Sequence, residues 1–118
     1  MLVVGVLFLT FAVLFGLIIL NAILKNKKTP KPIVFLHGAV ALFAILVIVG
    51  YVVAGHTDPT LVAALVFFIL AGLGGLTLLS FDLRKKPIPK MIALVHPLVA
   101  IAGVVLLVVH MIQQAALS

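Results

Sequence analysis

Apolar residues run almost unbroken through four stretches of the chain, and polar residues collect in the three gaps between them. Leu2–Leu24, Ile33–Ala54, Thr60–Ser80 and Met91–Ile112 are each close to the roughly 20 residues that carry a helix across a bilayer core. The gaps read Lys25-Asn26-Lys27-Lys28-Thr29-Pro30-Lys31-Pro32, Gly55-His56-Thr57-Asp58-Pro59, and Phe81 through Lys90 with Pro87 and Pro89. Proline at these places stops one helix and starts the next. Lipid offers the backbone no hydrogen-bond partners, so each apolar stretch must satisfy its own amides as a helix. Short gaps then give an all-α, four-helix transmembrane bundle of up-down-up-down topology, with residues 1–118 as one integral membrane domain.

Composition narrows the chemistry. Of 118 residues, 66% are hydrophobic and 8% charged, too few charges for a water-soluble domain. There is no Cys, which excludes disulfides, thiolate nucleophiles and iron–sulfur ligation. Asp58 and Asp82 are the only carboxylate side chains, so paired-carboxylate catalysis and carboxylate-rich metal sites are excluded too. All eight Lys and Arg fall in the first and third gaps. The positive-inside rule places those two loops in the cytoplasm and both termini outside, as expected in a bacterial inner membrane. Anionic lipid headgroups account for the basic charge, and nucleic acid is not an expected partner. The first stretch has no positive segment before it and a basic stop after it, the pattern of a retained helix rather than a cleaved signal.

The chain also repeats itself. Residues 1–59 laid over 60–118 match without a gap, and the informative matches are Gly16 with Gly75, Lys27 with Lys86, Pro30 with Pro89, Lys31 with Lys90 and His37 with His96. Each half is a two-helix hairpin, so the expected arrangement is a tandem repeat about a pseudo-two-fold axis along the membrane normal. That axis brings His37 and His96 to one depth, near the cytoplasmic side, able to face each other across the bundle.

Ionisable residues within a span mark function by default. His96 and His110 are 14 residues apart, about four turns less roughly 40°, and therefore on nearly one face with about 21 Å between them. Gly103 lies midway. The second helix repeats the layout as His37, Ala44 and Tyr51. Small residues midway would leave space on the stripe. Interhelical hydrogen bonding near the headgroups is the plainer role for His37 and His96, and interfacial placement for His110 and Tyr51. His56 lies in a loop beside Asp58, where solvation or weak binding of a divalent ion competes with any deeper role.

Four spans and the His96-x13-His110 spacing resemble the di-haem transmembrane b-type cytochromes, the group of the ascorbate-reducible cytochromes b and bacterial superoxide oxidase. The resemblance implies haem b held by paired imidazoles, electron transfer across or within the bilayer, and quinone as a partner. It implies that His37 and His96 ligate a cytoplasmic-side haem, with His110 on an outer one. The position matching His110 is Tyr51, so the second haem would need His56 as its other ligand, and one haem or two remain open. An electron carrier or a quinone-linked oxidoreductase is thus one expectation. A cofactor-free accessory subunit of a larger membrane complex or a homo-oligomer is another, and a small duplicated-hairpin transporter a third.

Overall fold

The computed structural model describes residues 2–117 and forms four helices: α1 (Leu2–Leu24), α2 (Lys31–Val53), α3 (Pro59–Leu83) and α4 (Lys90–Leu117). Each is long and apolar enough to cross a membrane. Loops 25–30, 54–58 and 84–89 are too short to do anything but reverse the chain. Accordingly α1 lies along α2 and α3 along α4, and these two hairpins meet more lightly, α1 on α4 and α2 on α3. Neither diagonal pair, α1 with α3 or α2 with α4, shares a close backbone approach. The result is a square up-down-up-down bundle of 48 × 23 × 20 Å, with α2 and α4 at opposite corners.

The two hairpins are built alike in backbone detail. Asn26 and Lys85, 59 residues apart, both take left-handed conformations, with φ of 55° and 56°. Behind each, two amides turn back onto the last carbonyls of the helix. Lys27 N–H reaches Ala22 O at 2.8 Å and Asn26 N–H reaches Ile23 O at 3.1 Å. Lys86 N–H reaches Phe81 O at 3.0 Å and Lys85 N–H reaches Asp82 O at 3.1 Å. This paired closure uses carbonyls that a helix end otherwise leaves bare. Pro32 and Pro59 sit in first turns, where a missing N–H costs nothing.

The helix ends differ from the sequence reading by two residues or fewer at most places and by more at two of them. α3 runs on to Leu83, past Ser80, and α4 runs on to Leu117, past Ile112, taking in Gln113 and Gln114. Gln114 is held because its Nε2 donates to Asp58 Oδ2 at 2.9 Å across the mouth of the second hairpin.

Packing follows a three-four stripe, the geometry of helices crossing at a shallow angle. On α1 the buried positions are Leu2, Gly5, Leu9 and Ala12, with Ala22 and Ile23 near the basic loop, and on α3 they are Leu61, Ala64, Phe68 and Ala71. The α3 set is the first four of the α1 set moved by 59. α4 buries Ala93, Gly103, Leu107 and His110, and α2 buries Ala44 and Ile48. The packed apolar core draws on Leu2, Leu9, Ala44, Ile48, Leu61, Ala64, Phe68 and Leu107. All of these lie in the middle of the bundle or toward the end that carries loop 54–58. The half toward the two basic loops buries Ala22, Ile23 and Ala93 and holds two half-buried imidazoles against glycines.

Candidate functional site

The site begins with two short motifs on the inner stripes of α1 and α3. Ala12 and Gly16 are four residues apart on α1, and Ala71 and Gly75 repeat them on α3. Small residues at this spacing let another chain segment approach the helix backbone closely. Here the visitor is a histidine from the partner helix of the same hairpin. A methyl group on Gly16 would lie 3.1 Å from Cε1 of His37, and one on Gly75 would lie 3.2 Å from Cε1 of His96. A methyl group at either glycine would make the imidazole give way by a few tenths of an ångström.

The glycine seat also fixes which nitrogen is free. His37 Nδ1 lies 2.7 Å from the carbonyl oxygen of Ala12. A carbonyl only accepts, so Nδ1 carries the proton and, in the neutral ring, Nε2 keeps its lone pair. This is the backbone support that ligating histidines commonly have. His96 approaches the backbone of Ala71, the equivalent position on α3, but its buried Nδ1 closes no hydrogen bond of good geometry.

From opposite corners of the bundle, the two rings meet at its centre. Their centroids are 6.2 Å apart and their planes are crossed at 85°. Two imidazoles binding one metal from opposite sides, at about 2.0 Å each, hold their centroids about 6.3 Å apart. The centroid distance matches that of a shared ion, while each ring rests its Cε1 edge on its glycine. Both histidines are only half-buried, unlike the core residues beyond them. No cluster of three or more His, Cys, Asp or Glu occurs among the described residues, so the pair would need further ligands from a bound group.

The basic end of this chamber is closed by a polar contact that sequence reading missed. Asp82 accepts hydrogen bonds from Thr29 Oγ1, at 3.0 and 2.8 Å to its two oxygens. Lys31 Nζ pairs with Asp82 Oδ2 at 2.8 Å and donates to Thr29 Oγ1 at 2.7 Å. Thr29 and Lys31 belong to the first hairpin and Asp82 to the second. A signal was present: Asp82 falls on the stripe of Leu61, Ala64, Phe68, Ala71 and Gly75, seven residues beyond Gly75.

At the far end the other candidates are arranged otherwise. His110 is buried, 1% exposed, with its Nδ1 3.7 Å from Asp58 Oδ2 and without a hydrogen-bond partner among the described residues. His56 stacks on Tyr51 at 3.8 Å between centroids, and its Nδ1 lies 3.0 Å from the carbonyl of Tyr51. His110 thus faces Asp58, while His56 and Tyr51 face each other. The space expected at Gly103 is taken: a methyl group there would meet Cε1 of Phe68 at 2.8 Å. Ala44 is fully buried in the same core. The small residues midway along the stripe therefore admit a phenyl ring and leave no slot beside it. A shallow apolar groove of about 170 Å³ runs between α3 and α4 beside His96, lined by Leu70, Gly74 and Val95 among others. Comparison with known families, curated proteins and solved structures finds no match to this chain.

Proposed function

We propose that the chain is a small membrane cytochrome holding one haem b between His37 and His96, and that it carries single electrons within the leaflet on the basic side. The observation that carries this reading is the meeting of two imidazoles, 6.2 Å apart, from diagonal helices. His37 and His96 would be the axial ligands, and the haem would supply one-electron chemistry. The protein's own part is to seat both rings, to keep the His37 Nε2 lone pair available through Ala12, and to surround the site with apolar side chains. The far end supports no second haem in this reading. His110 faces Asp58, His56 is engaged with Tyr51, and Phe68 fills the gap at Gly103. A quinol in the membrane or a soluble donor at the basic face would serve as redox partner. Titrating haem into the purified chain tests the reading. One haem per chain is expected by haemochrome assay, and a chain left colourless in excess haem overturns it in favour of an accessory four-helix subunit.

Orientation is part of the same proposal. The basic loops face the cytoplasm, where anionic headgroups meet Lys25, Lys27, Lys28, Lys85 and Lys86. The chain has no native Cys, so single cysteines report cleanly. In inside-out vesicles a membrane-impermeant maleimide is expected to label Lys28→Cys and to spare Thr57→Cys, with the reverse pattern in right-side-out vesicles.

The glycine seats give a sharper expectation. In Gly16→Ala or Gly75→Ala the new methyl group crowds the imidazole at 3.1 or 3.2 Å. Haem affinity is expected to fall by about 10–100-fold, the usual cost of disturbing a ligand's support, while helix content stays unchanged by circular dichroism.

A further inference from the structure

We propose that Thr29, Lys31 and Asp82 form a clasp that positions the histidine pair, setting the separation of the two hairpins at the depth of His37 and His96. The inference rests on the reading of that pair as a ligand site. Its starting point is an asymmetry. The apolar core that binds the hairpins together lies in the middle and far parts of the bundle. At and beyond the imidazoles the buried apolar residues among those described are Ala12, Ala22, Ala71 and Ala93, all small, with Ile23 the one large side chain, so apolar packing there is thinner than in the core. Yet this is where the distance matters, because 6.2 Å between centroids is a coordination spacing and a few ångströms more is not.

The clasp supplies the missing restraint. Asp82 is on the bundle-facing stripe of α3, two turns beyond the glycine against which His96 rests, or about 10 Å along the axis. Its carboxylate is 13% exposed and takes three contacts of 3.0 Å or less, all from the first hairpin. Thr29 is 6% exposed and is fixed at both sides, donating to Asp82 and accepting from Lys31. A charge-assisted network of this kind is short and directional, and apolar packing is not. The duplicated hairpin has no second copy. The positions matching Asp82 and Thr29 are Ile23 and Ile88, and Lys90, which matches Lys31, faces no carboxylate of the first hairpin because that hairpin's only Asp is Asp58, at the far end. One half of the repeat thus contributes the acid and the other the donors. The bond therefore necessarily crosses from hairpin to hairpin.

The four histidines make a cofactor-free test practical. The chain labelled with ¹³C,¹⁵N-histidine and reconstituted in bilayers is expected to show a ring-to-ring cross-peak between His37 and His96 in long-mixing solid-state NMR. Asp82→Ala should lose or strongly weaken that cross-peak, and Asp82→Glu, which keeps the acceptor, should restore it. Thr29→Val and Lys31→Met each remove one donor and should weaken it partway, which serves if Asp82→Ala fails to fold. In the haem-loaded chain, Asp82→Ala should alter the low-spin EPR signature, which reports the angle between the ligand planes, and Asp82→Glu should return it. A cross-peak that survives Asp82→Ala at full intensity overturns the clasp, as does a weakened cross-peak with an unchanged EPR signature. A wild-type chain with a clasp-dependent cross-peak but no haem uptake leaves the clasp standing and removes the cytochrome. A wild-type chain with no cross-peak removes both.

Discussion

His37→Ala and His96→Ala are each expected to abolish the Soret band of the haem-loaded chain, whereas His56→Ala and His110→Ala leave it in place. The contrast follows from geometry. The first two rings face each other at 6.2 Å across the bundle centre. The other two are elsewhere, His110 buried at the far end 3.7 Å from Asp58 and His56 stacked on Tyr51. The 85° angle adds a spectroscopic expectation, because ferric iron between crossed imidazole planes gives a strongly anisotropic low-spin EPR signal and parallel planes give a rhombic one. Absorbance and EPR on the same samples check both points. Loss of the Soret band in His110→Ala alone would move the ligand site to the far end, and retention in His37→Ala would end the paired-imidazole account.

Gly103→Ala is expected to be the most damaging single-methyl change in the core. Its new carbon would lie 2.8 Å from Cε1, 2.9 Å from Cδ1 and 3.2 Å from Cζ of Phe68. A phenyl ring at 2% exposure has nowhere to turn, so the backbones of α3 and α4 must separate. Overpacking of this order costs about 1–3 kcal/mol. Thermal or SDS-induced unfolding in detergent should show the loss. Gly38→Ala provides the contrast: nothing lies within 4 Å of a methyl group there, and no destabilisation is expected. Equal stability of the two variants would mean that Phe68 does not fill the bundle centre.

These two results divide the candidate site along the line at which the sequence stopped being informative. The pairing of His37 with His96 was legible from the 59-residue offset, because a repeat brings equivalent residues to one depth. The role of Gly103 was not. A glycine midway between two histidines reads as an opening, and only the position of Phe68 on the neighbouring helix decides that the opening is filled. Asp58 was legible as a loop residue beside His56, but its hydrogen bond comes from Gln114, on a helix that the sequence places half the chain away. The Thr29–Asp82 contact joins residues 53 apart and leaves no local pattern beyond the three-four spacing of Asp82 from Gly75.

From the sequence alone come the number of helices and the reversal of the chain at each loop. It also sets the segregation of basic residues to one end. These are one-dimensional properties: run length, proline placement and charge position are fixed before any helix meets another. The tertiary structure decides which face of each helix turns inward. Lipid-facing and bundle-facing residues are equally apolar here, so hydrophobicity cannot separate them, and the choice falls to shape. Alanines and glycines admit close neighbours, two rings find glycine seats, and one carboxylate finds its donors on the other hairpin.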